Sequence, residues 1–356
     1  MQLFIKILLT CILCIVFCIV MYLIIVLGYS TLSEYNPEKV TILKINDNED
    51  KLIQDSAELN LLTWNIGYAG LGKEMDFFYE GGTIVRPTNE LNTKYLSGIE
   101  SFISNAQDVD LLLIQELDFN SKRSYAIDQY HKIKHILPNH SSVFTYNYKS
   151  WFVPMPLSEP MGKVLSGMAT FSKFKAVEAK RFATPGSHAW PKKLFMLKRC
   201  FIYSKYKVTS GKELVIINLH NSAFDDESEL RTAELDMLHE LLASEYDKGN
   251  YVIAGGDWNQ NPVGFNNKAF QKYLSKSNWP IETDYLPSDW NWAFDLTSPT
   301  NRSVQFPFDK NRTETTIIDF FVISPNVEVV EVKTIDLEFE HSDHHPVMMK
   351  VKLKQD

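Results

Sequence analysis

Two different patterns of apolar and polar residues divide the chain near residue 28. From Ile7 to Leu27, twenty-one residues follow one another with Thr10 as the only clearly polar one. At about 1.5 Å of rise per residue, a helix of this length crosses a hydrocarbon core about 30 Å thick. A secretory signal has a shorter apolar region and a small-residue cleavage site, and no convincing site follows here. The pattern therefore predicts one uncleaved N-terminal transmembrane helix, with residues 1–28 as the anchor.

The charges that flank this helix give an orientation. Lys6 lies on its N-terminal side, whereas Glu34 precedes Lys39 on the other side. Basic residues near a membrane span favour the cytoplasmic side. We therefore expect a single-pass membrane protein with its N-terminus in the cytoplasm and the bulk of the chain outside the cytoplasm.

The chain beyond the anchor divides again near residue 58. Residues 29–57 are mostly polar, with a short apolar island at Val40 to Ile45, and are interpreted as a stalk or linker with one edge strand. From Glu58 onward, strand-like apolar runs alternate with helix-like periodicity, most clearly over 90–104 and 229–246. Such alternation predicts one layered α/β domain over residues 58–356.

Two long stretches of this domain have no periodicity. Residues 67–89 and 282–314 are rich in aromatic residues, glycine and proline, and they are too long for ordinary connections. Loops of that length in a compact domain are often binding loops. Arg86 in the first stretch and Arg302 in the second are candidate contacts to a substrate phosphate. Aromatic residues of the loops could meet a lipid or a base, or could cap the core, and these are Phe77, Phe78, Tyr79, Trp151, Phe152, Trp290 and Trp292.

Composition narrows the class of partner. The chain has 356 residues, 45% of them hydrophobic, and a formal net charge of −8. A nonspecific binder of long nucleic acid usually carries a basic face, and the overall balance gives no sign of one. A local basic cluster, defined by Lys192, Lys193, Lys198 and Arg199, is interpreted as solvated surface. Cys200 is the single cysteine outside the apolar run, so no disulfide can form within the domain.

Polar side chains follow the apolar runs, at the point where each predicted strand ends. Two of these runs end in a pair of polar residues spaced two apart, so both members of a pair lie on one face of a strand. Carboxylate, amide and imidazole groups are those that hold a hard cation and a phosphate. The residues are Asn65, Glu116, Asn218, His220, Asp257, Asn259, Asp343 and His344.

One carboxylate lies inside an apolar run instead of at its end. Asp319 follows Ile317 and Ile318 and precedes Phe320 and Phe321. An unpaired ionised carboxylate buried in such a strand costs several kcal/mol even after relaxation. We therefore expect Asp319 to have a specific partner.

The ordered set resembles the endonuclease/exonuclease/phosphatase superfamily, which includes DNase I, abasic-site endonucleases, neutral sphingomyelinases and inositol-polyphosphate 5-phosphatases. The resemblance covers about residues 58–354 and implies a DNase I-like four-layer α/β/β/α sandwich. The matching motifs are Thr63-Trp64-Asn65-Ile66, Gln115-Glu116, Asn218-Leu219-His220, Gly256-Asp257-Trp258-Asn259, Ile318-Asp319-Phe320-Phe321 and Ser342-Asp343-His344-His345-Pro346.

The resemblance also implies a metal site. Glu116 matches the principal ligand of Mg²⁺, a hard ion that prefers oxygen, and Mn²⁺ is a possible substitute. Asn65 lies beside it in the family pattern, contacting the metal or ordering its shell. Asp343 would bind metal or support the surrounding network.

Catalytic roles are implied in the same way. Asp257 matches the residue that orients or deprotonates the attacking water, and Asn259 and His220 would hold phosphoryl oxygens as charge builds in the transition state. His344 matches a histidine that donates to the scissile phosphate or transfers a proton. Asp319 matches the strand carboxylate that orients this ring, which supplies the expected partner.

The substrate stays open between two classes. The chain has Gln260-Asn261-Pro262 and Asp319-Phe320 where 5-phosphatases carry arginine-containing pairs, and it has His220 where abasic-site endonucleases usually carry tyrosine. DNase-like and sphingomyelinase-like readings remain, so the expected substrate is a phosphoester of nucleic acid or phospholipid. No obligate protein partner is implied. The alternative function is a catalytically silent, membrane-tethered binding module, which loss of the metal glutamate or the late histidine would favour.

Overall fold

Two seven-stranded mixed sheets form the centre of the protein in the computed structural model, which describes residues 1–47, 50–223, 229–265 and 280–355. The first sheet has the spatial order β1 (Val40–Ile42), β7 (Ala176–Ala183), β8 (Cys200–Lys207), β9 (Glu213–His220), β10 (Tyr251–Asp257), β14 (Asp319–Ile323) and β11 (Asn291–Ala293). The second sheet has the order β15 (Val327–Thr334), β16 (Val347–Leu353), β3 (Glu58–Asn65), β4 (Leu111–Asp118), β6 (Gly162–Ser172), β5 (Ser141–Val153) and β2 (Ile45–Asn46). A separate pair is formed by β12 (Asn301–Arg302) and β13 (Thr315–Thr316).

Helices cover the outer faces of the two sheets. α2 and α3 pack on the second sheet, and α4 packs on the first. The predicted helices over 90–104 and 229–246 correspond to α2 and α4. The α-helices within the described residues are α1 (Gln2–Leu32), α2 (Asn89–Asn105), α3 (Gln129–Ile136) and α4 (Glu229–Asp247).

Alternation along the strands explains how the four layers hold together. In β3, Leu61 lies in the core between the sheets, whereas its neighbour Leu62 lies in the core under α2 and α3. In β9, Ile216 lies between the sheets and Ile217 lies under α4. Successive side chains of a strand point to opposite faces, so a strand buried on both sides needs a continuous apolar run. The predicted DNase I-like α/β/β/α sandwich is confirmed.

Strand direction brings the polar strand ends to one place. β3 and β4 are parallel, and so are β9 and β10, so within each pair the carboxyl ends meet at the same edge of the sheet. In the register of β10, Asp257 is opposite His220 on β9 and opposite Asp319 on antiparallel β14. Three of the predicted site residues are therefore side by side on adjacent strands.

The segment predicted as a stalk is joined to both sheets. Within residues 29–57, β1 pairs with β7 and β2 pairs with β5, so the segment supplies an edge strand to each sheet where the sequence predicted one. Ile53 is fully buried in the core between the sheets. Ile53 leaves water only because this segment packs on the domain, since a free stalk would expose it, whereas Val40 and Ile42 of the apolar island stay 44% and 82% exposed.

The N-terminal helix projects from the domain and contacts it at one end. α1 is long and apolar enough to cross a membrane, by length and composition. Most of its residues are exposed, but Ser30 in its last turn is buried against the domain. The Nε1 of Trp151 donates to Ser30 Oγ at 2.9 Å, and the rings of Tyr29 and Trp151 meet edge to face at 4.6 Å.

Candidate active site

Asn65 joins the two sheets at the edge where the polar strand ends meet. It is the last residue of β3 in the second sheet, and its side-chain Nδ2 donates to Glu116 Oε1 at 3.2 Å and to Asp257 Oδ2 at 2.9 Å. Glu116 belongs to β4 of the same sheet, but Asp257 ends β10 of the other sheet. Asn65 Oδ1 accepts from the backbone amide of Gly67 at 3.0 Å, which fixes the orientation of the Asn65 side-chain amide.

Glu116 has a strained backbone within a bulge. The register of β4 against β6 shifts between Ile114 and Leu117, and Glu116 has a φ of 55°, in the left-handed region. Such a conformation is unfavourable for a residue with a Cβ, and bulges of this kind re-aim a side chain next to active sites. The Glu116 side chain is 23% exposed, so it is partly open to solvent.

His220 lies between the two carboxylates that Asn65 bridges. Its Nε2 is 3.4 Å from Asp257 Oδ2 and 3.7 Å from Glu116 Oε1. Burial lowers the pKa of His220 well below its ordinary value, and the positive charges of Arg199 and His344 lower it further. The imidazole is therefore neutral near neutral pH, and these contacts are not salt bridges. Its Nδ1 is buried with no hydrogen-bond partner in the described part of the chain.

His344 and Asp319 form a buried pair. His344 Nδ1 lies 2.8 Å from Asp319 Oδ2, and Asp319 is fully buried. Burial would lower the pKa of His344, but the charges of Asp319, Asp257 and Asp343 raise it well above the ordinary value. The ring is thus an imidazolium, with Nε2 3.8 Å from Asp257 Oδ2. The partner that the sequence required for Asp319 is this ring.

Asp257 is the carboxylate at which these contacts meet. Burial and the charge of Asp319 raise its pKa to about 6, against the lowering effects of His344 and of the hydrogen bonds from Asn65 and Asn259. A carboxylate with a pKa this close to neutrality can accept a proton more readily than an exposed aspartate. Its other oxygen, Oδ1, accepts from the Asn259 amide at 3.0 Å.

Asn259 forms the turn that follows β10. It has a φ of 52°, a left-handed conformation that asparagine tolerates better than most residues. Its Nδ2 donates to the backbone oxygen of Asn221 at 2.8 Å, which ties this turn to the residue that follows His220. Trp258, between Asp257 and Asn259, points into the core and stacks on Phe320 at 4.7 Å.

Asp343 adds a further carboxylate to the site. Burial raises its pKa to about 7, with the charges of Glu116 and Glu80 adding to the shift. Gly67 allows the loop after β3 to lie close to Asp343, because a Cβ at position 67, where φ is +50°, would lie 2.8 Å from Asp343 Oδ1. A residue other than glycine would have to displace the carboxylate.

The donor set fits a divalent cation. Glu116, Asp257 and Asp343 offer carboxylate oxygens, and burial is the main cause that raises the pKa values of the latter two. Oxygen donors suit a hard ion. Asp257, Asp319 and His344 also present ligand atoms within 4.8 Å of one another. Because Asp319 and His344 already form a hydrogen bond with each other, the carboxylates of Glu116, Asp257 and Asp343 fit a cation better than the group that includes this pair.

The two candidate arginines have partners within the protein. Arg302 is 1% exposed, and its Nη2 donates to the backbone oxygens of Leu71, Gly72 and Met75 at 2.9–3.2 Å. These bonds give it a structural role in holding the 67–89 loop. Arg86 Nη2 pairs with Glu159 Oε1 at 2.8 Å. The structure does not bring either side chain into contact with the residues around Asp257, and their substrate roles stay predictions.

Sequence reasoning missed two residues near the site. Asn301 immediately precedes Arg302, and its side-chain amide lies 3.0 Å from His344 Nε2. The motif that drew attention to Arg302 could have indicated Asn301, but adjacent positions of a long aperiodic stretch cannot be told apart from sequence. Tyr68 is buried with its hydroxyl unpartnered among the described residues, and the Arg123 guanidinium lies 3.5 Å from its ring centre.

Comparison with known proteins gives the context of this geometry. A family model described as "Endonuclease/Exonuclease/phosphatase family" matches residues 62–344, a span that includes every site residue above. A UPF0294 protein of Vibrio campbellii is 22% identical over 227 residues, which are 63% of this chain and 62% of that protein. The chain thus matches less than two thirds of the length of that relative.

Solved structures are similar in fold. TDP2 of Caenorhabditis elegans has a TM-score of 0.52 at 14% identity, over 83% of this chain and 74% of that chain. The human Nocturnin catalytic domain with bound sulfate has a TM-score of 0.51 at 18% identity, over 88% and 98% of the two chains. At these identities the likeness concerns the fold alone.

Proposed function

The chain belongs to the endonuclease/exonuclease/phosphatase family, and from this premise we propose that it is a magnesium-dependent, membrane-anchored phosphoester hydrolase. One observation carries the proposal. Asn65 holds the carboxylates of Glu116 and Asp257 together across the two sheets, beside an imidazolium that Asp319 orients. Acidic groups that face a cationic donor suit the attack of water on a phosphoester.

In this proposal Asp257 acts as the general base. Its Oδ2 is held by Asn65 at 2.9 Å and has an imidazole on each side. The carboxylate orients the attacking water and accepts its proton as the oxygen approaches phosphorus. A pKa of about 6 keeps the group ionised at neutral pH while leaving it basic enough for the transfer.

The two histidines act on the phosphoryl oxygens. His344 donates from Nε2 as an imidazolium, and the bond from Nδ1 to Asp319 holds the ring in place. His220 stays neutral and offers a ring N–H, while Asn259 adds an amide group beside it. Donors that are fixed before the reaction stabilise the transition state without a cost of reorganisation.

The acidic side of the site would hold the metal. Glu116 is the main ligand in the proposal, with Asn65 and Asp343 as further ligands, and Mg²⁺ is the preferred ion with Mn²⁺ as a substitute. When bound, the ion supplies charge neutralisation for the phosphoryl group and activates oxygen ligands. The raised pKa values of Asp257 and Asp343 support this assignment, because a cation beside these carboxylates would offset the loss of solvation that burial causes.

The membrane anchor completes the proposal. Residues 1–28 anchor the catalytic domain, to which residues 29–57 add an edge strand for each sheet, with the N-terminus cytoplasmic and the domain outside the cytoplasm. The length and apolar composition of α1 support the anchor, and Lys6 on the N-terminal flank supports the orientation. Nucleic acid and phospholipid are both compatible with the catalytic groups. A silent binding module has no support here, since the residues assigned to metal binding and proton donation are present.

The test uses the full chain in detergent with a generic phosphodiester, bis(p-nitrophenyl) phosphate. We expect turnover in Mg²⁺ that a chelator abolishes and that Mg²⁺ restores. Glu116→Gln should lower kcat by about a hundredfold or more, since it removes the charge of the main ligand. The control is Glu331→Gln, an exposed residue of β15. Equal turnover by the two variants would contradict the metal assignment.

A further inference from the structure

The last turn of α1 lies against two tryptophans. Trp151 Nε1 donates to Ser30 Oγ at 2.9 Å, and Trp190 Nε1 donates to Thr31 Oγ1 at 3.3 Å. The apolar run ends at Leu27, so both rings lie just beyond the proposed membrane span. Tryptophan is enriched at this level of membrane proteins, because its ring is apolar and its N–H needs a polar partner.

Exposed apolar side chains surround this point. Trp190 is 57% exposed and Leu32 is 89% exposed. We call Leu32 and Trp190, which lie at the contact between Thr31 and Trp190, the apolar rim. Apolar side chains grouped on a surface mark an interaction site, and this group continues from the membrane helix. The lipid bilayer is therefore the partner that the rim fits.

A cavity opens next to the rim. Its volume is about 370 Å³, and its walls come from the segment that directly follows α1, from the 183–199 region and from the turn after β9. Glu34 lies in the first wall, two residues beyond the end of α1, and Lys193 lies in the second, three residues beyond Trp190. The cavity therefore lies close to the level at which the chain would leave the membrane.

The cavity has an excess of positive charge. Four cationic side chains line it against two acidic ones. Glu34 accepts from Lys198 Nζ at 2.7 Å and lies 3.1 Å from Lys193 Nζ, so a carboxylate of the chain already occupies the lysine pair. Arg181 is 1% exposed, and its Nη1 is buried without a hydrogen-bond partner among the described residues. The cationic residues are Arg181, Lys193, Lys198 and Arg199.

The cavity adjoins the catalytic groups. Arg199 lines it and donates from Nη1 to the backbone oxygen of His220 at 3.4 Å. Ser222, another wall residue, is two positions beyond His220. An anionic group in the cavity would thus lie beside the proposed reaction centre.

We propose that the apolar rim rests on the bilayer and that the cavity receives the anionic headgroup of a membrane phospholipid, whose phosphoester is the substrate. This inference rests on the proposed function and names its substrate class. Hydrolysis adds one water: its oxygen bonds to phosphorus, the P–O bond to the departing alcohol breaks, and that alcohol oxygen receives the proton. The position of the cavity between the membrane level and His220 favours a lipid over nucleic acid.

The experiment compares four substrates with the full chain reconstituted in vesicles. These are vesicles of phosphatidylcholine with an equal part of phosphatidylglycerol, vesicles of phosphatidylcholine alone, duplex DNA, and bis(p-nitrophenyl) phosphate. We expect hydrolysis of the anionic lipid, about tenfold faster than that of phosphatidylcholine, which is the size of effect that one or two charge-assisted hydrogen bonds give.

Two variants test the cavity itself. Lys193→Ala combined with Lys198→Ala removes the lysine pair, and Lys192→Ala changes an exposed neighbour that is not part of the wall. The double variant should lose about tenfold more activity on anionic vesicles than on bis(p-nitrophenyl) phosphate, through a higher KM. Thermal unfolding of both variants checks that the fold is intact.

Each outcome has a definite meaning. Cleavage of DNA with vesicle lipids untouched would overturn the inference and leave the proposed function standing. Lipid hydrolysis at the same rate in the double variant and in Lys192→Ala would overturn the assignment of the cavity. Failure to hydrolyse even bis(p-nitrophenyl) phosphate in Mg²⁺ would overturn the proposed function and the inference with it.

Discussion

At the residue scale, the Asp319–His344 pair sets the charge of the site. Asp319 has no charged lysine or arginine within its hydrogen-bonding contacts in the described structure, and its Oδ2 lies 2.8 Å from the His344 ring. The buried carboxylate and the imidazolium therefore depend on each other for compensation. Removing either partner leaves the other as an uncompensated buried charge or changes its protonation.

A double-mutant cycle tests this dependence. Asp319→Asn and His344→Ala should each lower kcat by about a hundredfold, since both remove the oriented imidazolium from the transition state. The double variant should be little worse than either single variant, because the two side chains act as one unit. Steady-state kinetics with bis(p-nitrophenyl) phosphate give the three values. Losses that multiply, about ten-thousandfold in the double variant, would contradict the shared role.

The glycine beside Asp343 gives a second test at this scale. Gly67→Ala adds a Cβ at 2.8 Å from Asp343 Oδ1 and at a φ of +50°. We expect a loss of about 1 kcal/mol in the free energy of unfolding from the backbone alone. We also expect a rise in the Mg²⁺ concentration needed for half-maximal activity, because the carboxylate must move.

Gly211→Ala is the matched control for this change. Gly211 has a φ of +93°, and an added Cβ meets nothing within 4 Å. It should show a similar loss of stability in chemical denaturation with an unchanged Mg²⁺ requirement. The same Mg²⁺ requirement in both variants would argue against a part for Asp343 in metal binding.

Single residues also show how far the sequence alone could go. The need of Asp319 for a partner was predictable, because burial of a carboxylate demands compensation, and the family resemblance implied that this partner is His344. The position of Asn301 beside His344 was not predictable, because Asn301 and Arg302 are adjacent in the sequence. Only the folded loop shows which of the two lies next to His344. The left-handed φ of Glu116 was equally hidden, since a bulge depends on the pairing of β4 with β6.

At the element scale, the 67–89 loop depends on Arg302. Its guanidinium donates to three buried backbone oxygens of this loop, which would lose a hydrogen bond without it. Arg302→Lys keeps the charge and loses the planar fork that reaches these carbonyls. We expect a loss of about 2 kcal/mol in the free energy of unfolding, with little change in KM.

The matched control is Arg312→Lys, an exposed arginine of the second long loop. It should leave both stability and KM close to those of the unmodified protein. A raised KM in Arg302→Lys with unchanged stability would favour the substrate contact that the sequence predicted. Urea unfolding and steady-state kinetics on the same preparations separate the two roles.

Short elements were the hardest to predict. The strands β1 and β2 have three and two residues, too few for a period-two pattern to stand out. They are strands because an edge of each sheet offers them hydrogen-bond partners, and that edge is made by β7 and β5, more than 90 residues away in the chain. By contrast, α2 and α4 have long apolar faces, and their bounds were predicted to within one residue.

At the scale of the whole molecule, the boundary between anchor and domain can be tested by truncation. Removal of residues 1–28 should release a soluble domain that hydrolyses bis(p-nitrophenyl) phosphate, because β1, β2 and Ile53 remain. Removal of residues 1–57 should lower the free energy of unfolding by about 3 kcal/mol or more, since it uncovers both sheet edges and the site of a fully buried isoleucine. Equal stability of the two truncated chains would restore the stalk interpretation.

The hydrogen bonds of Asn65 have a consequence for how the protein fails under heat. One sheet carries Asn65 and Glu116, and the other carries Asp257. The alignment of these catalytic side chains therefore depends on how the two sheets pack against each other. A small displacement of one sheet relative to the other would separate these side chains, while every strand kept its hydrogen bonds to its neighbours. We expect thermal inactivation to precede the loss of circular dichroism signal, because turnover is more sensitive to the relative position of the two sheets.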